Sequence, residues 1–363
     1  MASILDLRRR IRSVKSTRQI TRAMKMIAAA KLRRAQERAI NSRPYVAMLA
    51  SVLESLKRRI DLYDPATWEL ARPRLERSDE ERVLVVVVSG DKGFAGAFNA
   101  NIIKATLQFI DHNHTRQIDI EAIGRKGRDL FRRRYPIAKF NDQSGEIPED
   151  SHPERQERSG RIEVIGDHPG LLDKVDHERV RELADDIAAR YLHKEIDSVY
   201  LVYNEFKSVI SQRVVVERIL PILEFGQHEI VEEQAMPAEE RAEAAKAART
   251  AGLSILPAEL EASIKQYEDE AKNFGTAEVD YIYEQSPREI FDAIFPSYLT
   301  AQLNHAFLES VAAEQAARMT AMDAASNNAS EMIDSYTLAM NRARQAAITK
   351  EIIEIVSGAA ALS

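Results

Sequence analysis

A heptad-like pattern at the start of the chain constrains its fold more than any other feature. Apolar residues recur there at spacings of three and four, at Ile4, Leu7, Ile11 and Val14. These are the spacings of the a and d positions of a coiled-coil helix, and no Gly or Pro interrupts the pattern before Pro44. The pattern predicts a helix over residues 4–58, roughly 80 Å long at 1.5 Å per residue. A helix of that length is longer than a small domain is wide, so most of it must project.

The apolar pattern of this helix changes after Val14. The next heptad positions are polar and are occupied by Arg18, Thr21 and Lys25. A second apolar row begins further round the helix, at Ile20, Met24 and Ile27. We therefore expect the buried face to shift in mid-helix, as it does at a stutter in a coiled coil, and the partner helix to be irregular too.

The other end of the chain repeats the same spacing. The heptad positions there are Ile333, Tyr336, Met340, Ala343 and Ala347, and a row displaced by one position follows at Ile348, Ile352 and Ile355. Runs of alanine in both ends favour helix and allow two backbones to approach closely. We predict that residues 1–60 and 285–363 form a long antiparallel coiled coil. An ordinary helical hairpin within a globular core is the alternative.

The middle of the chain has a different pattern. Residues 83–88, VLVVVV, are a continuous apolar run that predicts a strand covered on both faces and hence a parallel sheet. Further strands are expected at 118–123, 162–165, 198–204 and 213–220, and helices from about Asn99, near 126–134 and near 177–193. This alternation predicts a compact α/β domain over residues 82–225.

A Gly-rich loop follows the first predicted strand. Gly90, Gly93 and Gly96 make GxxGxxG, which is neither the dinucleotide-binding GxGxxG nor the P-loop pattern, and no Ser or Thr follows Lys92 to hold magnesium. A nucleotide-dependent α/β enzyme remains an alternative, although the loop favours it weakly. Spacing nominates no catalytic, cofactor-binding or metal-ligating residue. His168, His193 and Asp197 are interpreted as surface or structural residues.

Composition narrows the possible functions. The chain contains no cysteine, which excludes disulfides, thiolate catalysis and cysteine-bound metals. No apolar run approaches the ~18 residues of a membrane span, so we expect membrane association only through partners. Residues 1–60 hold 16 Lys or Arg against three acidic residues, a balance of +13. The partner of this helix should be acidic. Acidic protein loops suit it, and nucleic acid is less well supported because no aromatic residues are interleaved among the first cations.

The segment 228–280 differs from its surroundings. It holds 13 acidic residues against five basic ones and includes the run AEERAEAAKAAR at 238–249. We predict an acidic helical insertion over residues 226–282. Such a segment is either a solvent-exposed helical segment without a separate function or a regulatory or interaction arm.

Three motifs in the end segments carry a resemblance to a known family. They are ITRAMKMIAAAKL at 20–32, EQAARMTAMDAA at 314–325 and ITKEIIEIVSGAA at 348–360. In this order they resemble the gamma subunits of F-type ATP synthases. The loop ending in Phe98 and Asn99 also fits this family, in which it lies in a Rossmann-like domain without a known catalytic role.

The resemblance implies a rotor shaft rather than an enzyme. One such subunit would stand on the axis of three alpha and three beta subunits, with its α/β domain on the membrane c-ring beside epsilon. It would carry torque between proton flow and ATP synthesis or hydrolysis, at the cytoplasmic face of a bacterial plasma membrane, without a cofactor. The residues that would contact the beta subunits are Met24, Lys25, Arg318, Arg344, Gln345 and Thr349.

The chain departs from usual bacterial members of the family through the 228–280 segment. Its location is similar to that of the extra segment in photosynthetic gamma subunits. Because the chain has no cysteine, the dithiol switch of the chloroplast form cannot operate. The resemblance leaves open an acidic arm that limits wasteful ATP hydrolysis.

Overall fold

The structure is a computed structural model that describes residues 4–63, 80–140, 157–209, 211–221, 229–234 and 284–362. Within these residues the helices are α1 (Ile4–Tyr63), α2 (Phe98–His112), α3 (Arg125–Arg134), α4 (His177–Leu192) and α5 (Pro287–Leu362). The strands are β1 (Arg82–Val88), β2 (Gln117–Ile123), β3 (Ile162–His168), β4 (Ser198–Phe206), β5 (Gln212–Leu220) and β6 (Glu229–Gln234).

The two long helices at the chain ends pack side by side in opposite directions. Lys25 of α1 contacts Asp323 of α5, and Ser42, further along α1, contacts His305, which comes earlier on α5. With 60 and 76 residues, the helices are about 90 and 115 Å long at 1.5 Å per residue. The prediction of a long helix at each end is confirmed.

The expected shift of the buried face of α1 is wrong. The first heptad row continues without a break, and its buried members are Leu7, Ile11, Thr21, Ala28, Leu32, Ala35 and Ala39. Ile20 and Ile27, which were expected to replace it, are each 58% exposed. The polar residues can stay in the row because α5 supplies polar partners: Lys25 donates to Asp323, and Arg18 donates to Ser330.

The heptad row of α5 matches the prediction as far as Ala347. Ile333 is buried, and Tyr336, Met340, Ala343 and Ala347 are partly buried. The displaced row that follows is exposed, with Ile348, Ile352 and Ile355 at 49%, 55% and 71%. In the register set by Lys25 and Asp323, the start of α1 lies level with Arg344. The end of α5 therefore extends past α1, which explains why this row is uncovered.

The part of the chain that follows α1 and precedes α5 forms a six-stranded sheet with the strand order β3-β2-β1-β4-β5-β6. The first four strands in this order are parallel, as predicted, while β5 and β6 are antiparallel additions at one edge. The predicted strands and the three intervening helices are confirmed. Every β1 residue after Arg82 is buried, which agrees with a strand covered on both faces.

One part of the predicted insertion is strand rather than helix. β6 falls inside residues 226–282 and pairs with β5. Its acidic residues favoured a solvated helix in the sequence, but backbone pairing with β5 overrides this local preference. The helix-prone run at 238–249 lies outside the described residues.

The helix pair contributes to the apolar cores on both faces of the sheet. On one face Leu84, Val86 and Val88 of β1 pack with α4, with the Leu53 and Leu56 region of α1 and with residues 295–307 of α5. On the other face Val83, Val85 and Val87 pack with α2 and α3, with residues 28–35 of α1 and with residues 312–319 of α5. The α/β domain is thus built onto the helix pair over a long stretch.

Candidate functional site

The predicted contact residues on α1 lie at a polar link between the two long helices. Lys25 Nζ donates to Asp323 Oδ1 at 2.6 Å, and the two side chains are 17% and 19% exposed. The cation of Lys25 is thus used mainly within the helix pair. Met24 beside it is partly buried. This bond joins α1 and α5 at one fixed pair of positions.

An exposed apolar surface lies next to Met24 on α1. Ile20 and Ile27 are each 58% exposed and Met26 is 68% exposed. By helix geometry Ile20 and Ile27 share one flank of the exposed face of α1, while Met26 and the exposed Arg22 lie on the other flank. A surface that mixes large apolar side chains with arginines suits a protein partner with apolar and acidic groups.

The predicted contact residues near the end of α5 are exposed. Arg344, Gln345 and Thr349 all have solvent-accessible side chains, and Thr349 Oγ1 donates to the Gln345 carbonyl within the helix at 2.9 Å. These residues lie where α5 begins to extend past α1. They are therefore open to a partner, together with the uncovered isoleucines that follow.

Arg318 is placed differently from the other predicted contact residues. It is only 8% exposed, and it donates to Glu314 Oε1 at 2.6 Å and to the Gly93 carbonyl at 3.3 Å. Burial raises the pKa of Glu314 above its ordinary value, and the positive charge of Arg318 opposes that rise. Arg318 thus points at the Gly-rich loop of the α/β domain rather than out toward a partner.

Close packing against α5 explains two glycines of the Gly-rich loop. A Cβ on Gly90 would lie 2.7 Å from Glu314 Oε1, and the Gly90 amide donates to Asn99 Oδ1 at 2.8 Å. Gly96 has φ +54°, in the left-handed region that favours glycine, and its missing Cβ faces Ala317 and Ala321. The loop lets the backbone of the α/β domain approach the long helix.

Groups on the other side of the loop accept hydrogen bonds from the backbone amides in the first turn of α3. The amides of Arg125, Lys126 and Gly127 donate, in that order, to Asp91 Oδ1, the Gly90 carbonyl and Ser89 Oγ, at 3.1, 3.1 and 2.8 Å. A helix N-terminus of this kind is where a phosphate would bind if its amides were free. Here the chain's own groups, one of them a carboxylate, take that place. The loop geometry therefore favours a structural role over nucleotide binding.

A second polar cluster on the helix pair has no signal in the sequence. His305 of α5 is partly buried, and its Nδ1 lies 3.1 Å from Ser42 Oγ of α1 and 4.0 Å from Glu309 Oε1. Burial lowers the pKa of His305, and Arg43 lowers it further, while Glu309 opposes the change. His305 is thus held neutral at neutral pH. Isolated polar residues on a long helix are usually solvated, so only the fold could reveal this cluster.

Among the described residues, no three or more side chains of Asp, Glu or His are grouped so that they could hold a metal ion. In the same part of the chain, no helix has an apolar stretch of the length needed to cross a membrane.

Comparison with known sequences gives full-length matches. A family model described as ATP synthase matches residues 3–362. The ATP synthase gamma chain of Solibacter usitatus is 42% identical over 361 residues, covering 99% of both chains. The ATP synthase gamma chain of Chloroherpeton thalassium is 39% identical over 367 residues, covering 100% of this chain and 99% of the relative.

Comparison with solved structures agrees at the level of the fold. A chain in the OSCP/F1/c-ring structure of the Euglena gracilis mitochondrial ATP synthase, rotational state 3, is similar with a TM-score of 0.53 at 15% identity, covering 99% of this chain and 94% of that one. A chain of the rotor of the same synthase, rotational state 1, has a TM-score of 0.51 at 14% identity, covering 95% and 98%. The matches over the whole length, at 39% and 42% identity to curated relatives, show that the chain belongs to the ATP synthase gamma chain family.

Proposed function

We propose that α1 and α5 form a coiled-coil shaft that carries torque between a proton-driven c-ring and the catalytic beta subunits. One copy would serve three alpha and three beta subunits, with epsilon beside the α/β domain. The observation that supports this proposal is the continuous heptad row of α1. The antiparallel helix α5 covers this row from Leu7 to Ala39. Spacing of three and four that persists over so many turns is typical of coiled coils.

A rotating shaft can work on catalytic sites only if its surface differs from side to side. Each beta subunit would have open and closed states, and a ligand or partner shifts such an equilibrium by contacting one state better than the other. The helix pair has exposed apolar side chains on one flank of α1, at Ile20 and Ile27, and a single-helix extension beyond Arg344. These asymmetric features support contacts that change as the shaft turns.

For direct contacts with the beta subunits we propose Met24, Arg344, Gln345 and Thr349. All four are exposed or partly buried. Lys25 would support them by its bond to Asp323. Arg318 is better assigned to the contact with the Gly-rich loop, because its guanidinium is buried there. The excess positive charge of α1 suits acidic segments of the beta subunits.

The site of action would be the cytoplasmic face of the bacterial plasma membrane. The chain would be held there by the c-ring and epsilon. The acidic segment 226–282 would be an arm that limits ATP hydrolysis, apart from β6, which belongs to the sheet. Deleting residues 235–279 would then raise the ATPase activity of the assembled complex.

Co-expression with cognate alpha, beta and membrane subunits tests the proposed function. Membrane vesicles that contain this chain should pump protons when ATP is added, and vesicles that lack it should not. Arg344→Ala, or Met24→Lys, should lower the protons pumped per ATP hydrolysed. Arg181→Ala on α4, where the side chain is 71% exposed, is the matched control and should pump normally. Normal pumping by both shaft variants would remove these residues from the proposal.

A further inference from the structure

The end of β4 is completed by side chains of the two long helices rather than by a neighbouring strand. The β1–β4 pairing reaches only Val87 and Val202. β4 continues to Phe206, which pairs with Gln212 of β5 on its other side. Asn204 and Phe206 therefore have backbone groups on the β1 side of β4, beyond the point where β1 pairing ends.

Both long helices bind these backbone groups. The Phe206 amide donates to Glu309 Oε2 of α5 at 2.9 Å, and the Asn204 amide donates to Ser310 Oγ at 3.3 Å. The Phe206 carbonyl accepts from Arg43 Nη2 of α1 at 3.0 Å. One residue of the sheet is thus held by a carboxylate from one helix and a guanidinium from the other.

An ion pair closes this arrangement into a ring. Arg43 Nε donates to Glu309 Oε1 at 2.9 Å, while the Glu309 side chain is fully buried and that of Arg43 is 23% exposed. We call Arg43, Glu309 and the Phe206 backbone the β4 junction. A buried carboxylate costs desolvation energy, which suits a specific role better than a general contribution to stability.

The directions of these bonds suggest what the junction does. The hydrophobic driving force between the helix pair and the sheet is non-directional, so it does not by itself specify one rotational position. Hydrogen bonds weaken steeply with misalignment and with small increases in distance. A turn of the helix pair relative to the sheet would break the bonds of Phe206 to both helices together. A second polar contact, Arg318 to the Gly93 carbonyl, lies further along α5.

We infer that the β4 junction fixes the rotational position of the α/β domain on the helix pair and so transmits torque between them. This inference rests on the proposed rotor function, since torque passes through this contact only if the chain turns. Arg43 and Glu309 are positioning residues in this role.

The double variant R43M/E309M tests the inference. It replaces a buried ion pair by apolar side chains of similar volume, a change that is often neutral or stabilising. The matched control is D119M/R158M, which removes a pair of similar burial, 4% and 20% exposed, that lies wholly inside the α/β domain. Each variant is assembled into the complete complex. Thermal midpoint, ATPase rate and ATP-driven proton pumping in vesicles are measured.

We expect R43M/E309M to keep its ATPase rate and to lose pumping, while the control keeps both. The thermal midpoint of R43M/E309M should fall modestly, because the Phe206 amide and carbonyl lose their side-chain partners. Pumping per ATP equal to that of the control would overturn the inference. If R43M/E309M does not assemble, R43K decides. Lysine keeps the charge but cannot bond Glu309 and Phe206 with a planar fork, so reduced pumping is expected and undiminished pumping overturns the inference.

The wild-type complex separates this inference from the proposed function. If the complete wild-type complex does not pump, the rotor function fails. If it pumps and both junction variants pump equally well, the rotor function stands and only the junction is wrong. Hydrogen exchange of the Phe206 amide, which should accelerate in R43M/E309M and not in D119M/R158M, confirms that the bond to Glu309 has been removed.

Discussion

Gly124, at the junction of β2 and α3, offers a sharp test of the packing around the Gly-rich loop. It has φ +85°, and an added Cβ would lie 1.9 Å from the Ser89 carbonyl oxygen. Gly170 has φ +79°, yet an added Cβ there would meet nothing within 4 Å. Both G124A and G170A place an L-residue at positive φ, but Gly124 also has ψ +154°, a combination that essentially only glycine adopts, and only G124A adds an overlap.

The expected loss of stability follows from these two costs. An L-residue held in a sparsely populated backbone region costs roughly 1–3 kcal/mol, and the region of Gly124 is the more restrictive because essentially only glycine occupies it. Overpacking adds about 1–3 kcal/mol for G124A. The Ser89 carbonyl cannot move away easily, because the Ser89 amide and hydroxyl are both bonded to the Ile123 carbonyl at 2.9 Å. We therefore expect G124A to be less stable than G170A by about 1–3 kcal/mol.

Thermal unfolding of the full chain, followed by circular dichroism, measures this difference. In a protein of this size, each kcal/mol of lost stability lowers the thermal midpoint by roughly 2–4 °C. G124A should unfold several degrees below G170A. Equal midpoints would refute the close approach of α3 to the Ser89 carbonyl, and with it the described geometry of the Gly-rich loop.

Three further predictions concern the contacts of the helix pair. G90A should lower the thermal midpoint, because its Cβ would press on the buried Glu314, whereas G93A, whose Cβ would meet nothing nearer than 4.0 Å, should not. Burial lowers the pKa of His305 in the folded chain below its ordinary value of 6.5. Just below pH 6.5, His305 is therefore protonated in the unfolded chain but not in the folded chain. Stability should then fall as pH drops below that value, and H305Q should flatten this dependence in unfolding experiments between neutral and acidic pH. K25M should destabilise the chain by about 1–3 kcal/mol because it leaves Asp323 without its bond, and K25M/D323M should recover most of the loss in the same assay. A double variant as unstable as K25M would contradict the proposed pairing.

The regular elements could be predicted from the sequence because their signals are local. The run VLVVVV marked β1, and the spacing of apolar residues marked α1 and the first part of the α5 row. The expected shift of the buried face failed for a non-local reason. Lys25 is acceptable in the apolar row only because Asp323, almost three hundred residues later, lies opposite it.

The candidate site could be predicted only in part. Family motifs located Met24, Arg344, Gln345 and Thr349, which the fold leaves exposed or partly buried. The same motifs located Arg318, but its role depends on a loop from another part of the chain. Arg43 and Glu309 gave no signal at all, since their importance comes from where β1 stops beside β4.

The most direct test of the rotor account is to observe rotation of the α/β domain. The chain has no cysteine, so Arg181→Cys, on the exposed face of α4, provides a unique attachment point for a bead. The complex with alpha and beta subunits is fixed to a surface through the beta subunits and supplied with ATP. The account predicts that the bead turns in one direction, with three stops per turn for the three proposed beta subunits. ATP hydrolysis by the same complexes with a bead that does not turn would contradict it.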